Sequence, residues 1–352
     1  MSNENVPITY KEISAQAEAI KAAWEQLQKQ SDWVNRYIGN EKYDEVVFIG
    51  SGSSYYQSIT MAATFRKWTG RSASAQPSSD IFLIRDATLA RDKRILIVGV
   101  SRSGESHEVI LALESVKGLP HIDTCGITTH ETSTMFGMTE CLLSPLGKEK
   151  STVMSKSLSS MTFMMQAAIA MASGQDAYLQ ELQTVLELDE ELVKASDTII
   201  KEWVAAHDCN KTVYLGLGAL GGLALEACLK LKEMTYTWTE AYGTLEFRHG
   251  PKSIVDSGTL VCLLLSESTR EYELQVAREM KDYGAQVLLI TAKRGDDTDF
   301  ADLVIEVGGA KVSDEARSVL YLPAVQYNGY YSAMKLGLNP DDPRNLTQFV
   351  QI

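Results

Sequence analysis

Residues 46–54 read Val-Val-Phe-Ile-Gly-Ser-Gly-Ser-Ser, and residues 95–106 read Ile-Leu-Ile-Val-Gly-Val-Ser-Arg-Ser-Gly-Glu-Ser. Each is a short apolar run that stops at glycine and serine. Such a run, with no polar alternation, predicts a strand covered on both faces, as in a parallel sheet. A helical pattern follows near residues 105–116, and a further strand is expected at 124–128. The second half starts again, with strands expected at 213–215, 260–265, 287–291 and 303–307. Helices are expected at 155–173, 272–283 and 314–336, and an amphipathic one at 8–35, where Ile13, Ala17, Ile20, Ala23, Trp24 and Leu27 recur at helical spacing. Strand, loop and helix in repetition predict an α/β fold with parallel sheets.

The two halves match. Gly50 and Gly52 correspond to Gly216 and Gly218, Ser101 to Ser266, and Ile127 to Ile290, all at nearly one offset. Three strand ends in the same order point to a duplicated domain. The expected division is an N-terminal helical segment 1–35, a first domain 36–180, a second 195–338 and a tail 339–352. The linker falls in the Glu- and Leu-rich helical region 175–210.

The chain has 352 residues, enough for about two domains. Apolar residues make up 45% and charged residues 22%, which gives it the means to bury a core. Lys plus Arg is 33 against 46 Asp plus Glu, a net charge of −13. That balance argues against nucleic acid or an anionic membrane as partner, since both need a basic footprint. It leaves room for a small anion, because a local nest of N–H groups binds phosphate even in an acidic protein. The five cysteines, Cys125, Cys141, Cys209, Cys228 and Cys262, form no CxxC and lie mostly in apolar runs. Buried free thiols in a reducing compartment are expected. The N-terminal stretch lacks the pattern of a signal peptide, and the apolar run 161–172 is broken by Thr162 and Gln166 and too short for a bilayer. A cytoplasmic protein is expected.

Five stretches could carry chemistry. In Gly50-Ser51-Gly52-Ser53-Ser54, a glycine-rich strand-to-helix turn points N–H groups at an anion. A dinucleotide fingerprint would need glycine where Tyr55 stands, and no Walker lysine is present. A tight turn alone explains this motif equally well. Ser101-Arg102-Ser103-Gly104-Glu105-Ser106 offers three hydroxyls at a second strand end. One serine suffices for a helix cap, so the excess favours an anion site at the carboxyl ends of parallel strands. Residues 151–157, Ser-Thr-Val-Met-Ser-Lys-Ser, open a third helix, and by themselves read as a capped start. Glu226, Lys230 and Glu233 recur at helical spacing, and an ordinary solvated salt-bridge stripe is the simplest reading. His249 precedes Gly250-Pro251, and an imidazole there could move a proton between sugar oxygens, although a lone histidine is more often structural. No histidine pair has zinc-ligand spacing, so neither metal nor cofactor is expected.

Together these motifs resemble tandem SIS (sugar isomerase) phosphosugar-binding domains over about residues 30–352. The block 230–251, ending in Leu-Glu-Phe-Arg-His-Gly-Pro, is specific for that family. The chain is similar to the isomerase half of glucosamine-6-phosphate synthase without its glutaminase domain, and closer to the smaller catabolic members. The resemblance implies two SIS domains, each a parallel sheet flanked by helices in a flavodoxin-like three-layer sandwich. It implies that Ser51, Gly52, Ser53, Ser54, Ser101, Arg102, Ser103, Ser106 and Thr152 hold a sugar phosphate, and that Glu226, Lys230 and Gln348 line the site. Glu233 would be the base moving a proton between C1 and C2. His249 would assist ring opening and reach into a neighbouring subunit's site, which implies a homodimer. One departure matters: Gln348 stands where the synthase carries a lysine, and an amide cannot form a Schiff base.

The implied activity is an aldose–ketose isomerase on a hexose 6-phosphate that deaminates or deglycates an amino-sugar phosphate. The alternatives are a simple ketose/aldose phosphate isomerase and a non-catalytic phosphosugar sensor.

Overall fold

The computed structural model describes residues 6–350 and 352. Residues 1–5 of the expected N-terminal segment, and Gln351 of the tail, lie outside them. Three helices open the chain: α1 (Ile8–Ser14), α2 (Gln16–Leu27) and α3 (Ser31–Arg36). The single helix expected over 8–35 is therefore broken at Ala15 and by a 3-10 turn at Gln28–Gln30. The polar run Gln28-Lys29-Gln30-Ser31 supplies no apolar residue to carry the buried stripe onward.

One compact unit comprises residues 17–182 with 346–352. Its elements are β1 (Glu45–Gly50), α4 (Ser53–Thr69), β2 (Ala73–Pro77), α5 (Ser78–Leu83), α6 (Arg85–Thr88), β3 (Ile95–Val100), α7 (His107–Ser115), β4 (Ile122–Thr128), α8 (Thr134–Met138), β5 (Cys141–Leu143) and α9 (Lys156–Ser173). All strand pairs are parallel, in the order β2-β1-β3-β4-β5, with Val46 beside Ala73, Phe48 beside Val98 and Val98 beside Cys125. Both faces are covered. Val47, Ile49, Ile95 and Ile97 pack with Val109, Ala112 and Leu113 of α7 and Met135 of α8. Phe48, which alternates to the opposite face, meets Phe65 of α4 edge-on at 6.3 Å. Helix α9 packs on α4 and is buried at every position from Ser157 to Ala170. The apolar run at 161–172 is thus a core helix. Among the described residues no helix is long and apolar enough to cross a membrane.

Helix α10 (Asp176–Ala206) occupies the region expected as a helical linker. The second unit holds the described residues up to Gln16 together with Gln183–Asn345. It contains β6 (Lys211–Gly216), α11 (Ala219–Thr235), β7 (Thr239–Tyr242), β8 (Thr259–Leu264), α12 (Arg270–Asp282), β9 (Gln286–Thr291), β10 (Leu303–Glu306), α13 (Asp314–Arg317) and α14 (Leu322–Lys335). Its parallel sheet runs β7-β6-β8-β9-β10, the order of the first sheet with β6 in the place of β1. Val213, Leu215, Val261 and Leu263 pack on Leu274, Ala277 and Met280 of α12. The helix expected over 314–336 is divided by a 3-10 turn at Ser318–Tyr321, and Pro323 restarts it where the missing N–H costs nothing.

Two terminal pieces cross the expected boundaries. Helix α1 packs on α14, and the Thr9 hydroxyl donates to Asp341 at 2.8 Å. The first helix of the N-terminal segment thus belongs to the second unit. Residues 346–352 of the tail belong to the first.

Candidate active site

In the first sheet the chain leaves β1 toward β2 on one side and later returns to β3 on the other. The loops after β1 and β3 therefore diverge from the carboxyl ends of neighbouring strands, at the crevice where open α/β sheets bind ligands. The first loop turns sharply. A Cβ on Gly50 would lie 2.4 Å from the carbonyl carbon of Ser54, and Gly52 has φ of +56°, so neither position accepts a side chain without strain. The turn delivers Ser53 and Ser54, both buried, at the first turn of α4, whose leading N–H groups find no partner within the helix. In the second loop Gly104 N–H donates to Ser101 Oγ at 3.0 Å and Glu105 N–H to Ser103 Oγ at 3.1 Å. The Ser101 and Ser106 hydroxyls lie 3.2 Å apart. Among the described residues no carboxylate accepts from these three hydroxyls. The one carboxylate in the two loops, Glu105, accepts from the Thr134 N–H and hydroxyl at 2.7 Å each, and the serine hydroxyls and N–H groups suit an anion such as phosphate.

Arg102, expected at the phosphate, has its guanidinium engaged inside the protein. Its Nη1 donates to Glu149 Oε2 at 3.2 Å and to the Ser151 and Thr152 carbonyls at 3.3 and 3.1 Å. Its Nη2 donates to the Gln348 carbonyl at 3.0 Å. Glu149, whose side chain is fully buried, accepts from the N–H and hydroxyl of Ser155 and from those of Ser157, at the start of α9. Four donors and a guanidinium thus converge on one carboxylate. This pair ties the second serine loop, the stretch 149–157 and the tail together. Thr152 enters the arrangement through its carbonyl. The Gln348 amide donates to the Lys150 carbonyl at 3.0 Å. The sequence reading passed over Glu149. An acid just ahead of a serine-rich helix start was its available signal.

In the second unit, Glu226, Lys230 and Glu233 share one face of α11, and they are not a solvated stripe. Glu226 and Lys230 are buried and the Glu233 side chain is 17% exposed. Lys230 Nζ lies 3.3 Å from Glu226 Oε1 and 2.5 Å from Glu233 Oε2. Burial works against the ammonium, but the charges and hydrogen bonds of the two carboxylates outweigh it, and the Lys230 pKa ends above that of an ordinary lysine. Glu233 is left as a half-buried carboxylate held at one oxygen by a buried cation, with an edge toward solvent. His249 sits between two 3-10 turns, Glu246–Arg248 and Pro251–Ile254, and is exposed. Its backbone N–H donates to the Glu246 carbonyl at 3.0 Å.

All five cysteines are free thiols, and all but Cys209 are buried. No group of three His, Cys, Asp or Glu side chains with metal-ligand geometry occurs among the described residues.

A family model described as the SIS domain matches residues 41–172 and 207–308, one stretch in each unit. The glutamine–fructose-6-phosphate aminotransferase (isomerizing) of Brucella melitensis is 30% identical over 337 residues, covering 90% of this chain and 53% of that protein. The chain spans about half the length of the curated relatives it matches. The glucosamine-6-phosphate deaminase of Thermotoga maritima superposes with a TM-score of 0.74 at 28% identity, covering 95% of this chain and 99% of that one. The tagatose-6-phosphate ketose/aldose isomerase of Escherichia coli shares the fold, with a TM-score of 0.88 at 24% identity over 100% and 98% of the two chains.

Proposed function

The chain belongs to the SIS domain family, and from that premise we propose that it is an enzyme acting on a hexose 6-phosphate, deaminating or deglycating an amino-sugar phosphate by proton transfer between C1 and C2. The observation that carries the reading is the pair of serine loops at the first sheet's switch point, rich in donors, with their one carboxylate, Glu105, engaged by Thr134 and not by the serine hydroxyls. In this reading Ser51, Ser53, Ser54, Ser101, Ser103 and Ser106 take the phosphate. Arg102 positions the loop through Glu149. Glu233, oriented by Lys230, is the base, and His249 handles ring oxygens.

The chemistry balances without a redox step. For a 2-amino aldose, Glu233 takes the C2 proton while O1 gains one, leaving an enolamine. Protonation at C1 gives the imine of the ketose, and water replaces ammonia at C2. For a 1-amino ketose the proton leaves C1 and returns at C2, and water then releases the amine from C1. A single well-placed carboxylate suffices for both. Gln348 supports release of an amine over its transfer, since it offers no amine for a carbonyl adduct.

The test is an assay of aminated and plain hexose 6-phosphates for release of ammonia, amino acid or isomer. Turnover of at least one aminated substrate, with solvent deuterium appearing at C1 or C2, is expected. Products free of deuterium would contradict the proton transfer, and a phosphosugar that binds without conversion would favour the sensor. Glu233→Gln is expected to lose about 100-fold or more in kcat.

A further inference from the structure

The duplication gives the second sheet its own switch point, between β6 and β8. The backbone there repeats the first: Gly218 has φ 56° and ψ −125°, against 56° and −129° at Gly52. The side chains do not. Leu217, Ala219 and Leu220 replace Ser51, Ser53 and Ser54. The loop after β8, Ser266-Glu267-Ser268-Thr269, keeps its hydroxyls, but they are already engaged.

One carboxylate collects them. Asp314, at the start of α13, accepts from Ser266 Oγ at 2.6 Å, Glu267 N–H at 3.0 Å, Ser268 Oγ at 2.9 Å and Ser268 N–H at 3.4 Å. Two hydroxyls and two successive N–H groups on one pair of oxygens are what a bound oxyanion would receive. Behind it stands Arg317, wholly buried, whose Nη2 pairs with Asp314 and whose Nη1 donates to the carbonyls of Gly309 and Val312. Glu273, also buried, takes two further donors of the loop, Ser266 N–H and Thr269 Oγ. The corresponding loop of the first sheet, 101–106, has no such carboxylate on its hydroxyls.

We propose that Ser266–Ser268 with Arg317 is a second oxyanion cradle of the phosphate class, closed from within by the Asp314 carboxylate. The native chain then holds one phosphosugar per copy although its scaffold is doubled. Removing the carboxylate opens the cradle, because a buried guanidinium and four donors lose their acceptor together. This does not depend on which reaction the first site catalyses.

The experiment uses the full chain and inorganic phosphate as the probe. Asp314→Ala should lose stability in chloride buffer and recover with phosphate. Its melting temperature should rise about 3–5 °C more than the wild type's at 50 mM phosphate. Equilibrium dialysis with labelled phosphate should show one more ion per chain than the wild type, and Ser266→Ala in the same background should remove it. Wild-type phosphate binding reports on the first loops, so failure there is distinguishable from failure here. Asp314→Ser also clears the carboxylate from the cradle, and its small polar side chain serves if the alanine variant does not fold. It should show the same phosphate-specific rise. Equal phosphate response and equal stoichiometry in wild type and variants would overturn the proposal.

Discussion

Lys230 shows how much one residue's meaning depends on burial. Its ammonium is enclosed with Glu226 on one side and Glu233 on the other. Removing the cation leaves a fully buried carboxylate without its counter-charge, so Lys230→Met should cost about 3–5 kcal/mol in denaturant unfolding. Pairing it with Glu226→Gln should restore much of the loss. A single variant as stable as the wild type would show that the pair contributes nothing. The spacing of these three residues is legible in the sequence. Their burial is not, because charges on one helix face look the same whether the face meets water or a packed neighbour. Arg102 has the same difficulty. Its place in the serine loop is plain, but Glu149 stands 47 positions away, and no local pattern joins them.

Among the elements, the central strands were readable because they are covered on both faces. Val46–Ile49 and Ile95–Val100 are continuous apolar runs, and all of these residues are buried. The strands missed are β2, β5 and β7, all at sheet edges. Ala73-Ser-Ala-Gln-Pro and Thr239-Glu-Ala-Tyr are half-exposed and carry too little apolar residue to stand out, and β5 has only three residues. The serine loops were legible as loops. That one carboxylate organises the start of α9, the second serine loop and the tail was not. Glu149→Gln should weaken the Arg102 pair and free the tail. Hydrogen exchange in residues 346–350 should then accelerate about tenfold or more, while the β1 and β3 amides stay protected. Unchanged exchange in the tail would show that Arg102 does not hold it.

At the scale of the whole chain, a buried acid sets a pH dependence. Asp189 on α10 accepts from the Gln16 amide at 2.7 Å, and burial pushes its carboxyl up to about 7. The unfolded chain releases that proton near the ordinary value, while the folded chain keeps it until about pH 7. Between the two the folded state binds more protons, so this contribution to stability is present at low pH and is lost as pH rises toward 7. Asp189→Asn should flatten the decline, melting above the wild type at pH 8 by the equivalent of about 2 kcal/mol and losing that advantage at pH 4. Parallel melting curves across that range would contradict it. Segment order carries a further consequence. Helix α1 is made well before its neighbours α14 and Asp341, which come some 330 positions later, the Thr9–Asp341 contact being 332 apart. At about 5–20 residues per second, the apolar side of that helix waits on the order of tens of seconds for its seat. The apolar side of α1 therefore stays unseated while the rest of the second unit is made, and a holdase that shields it should improve the yield of folded product.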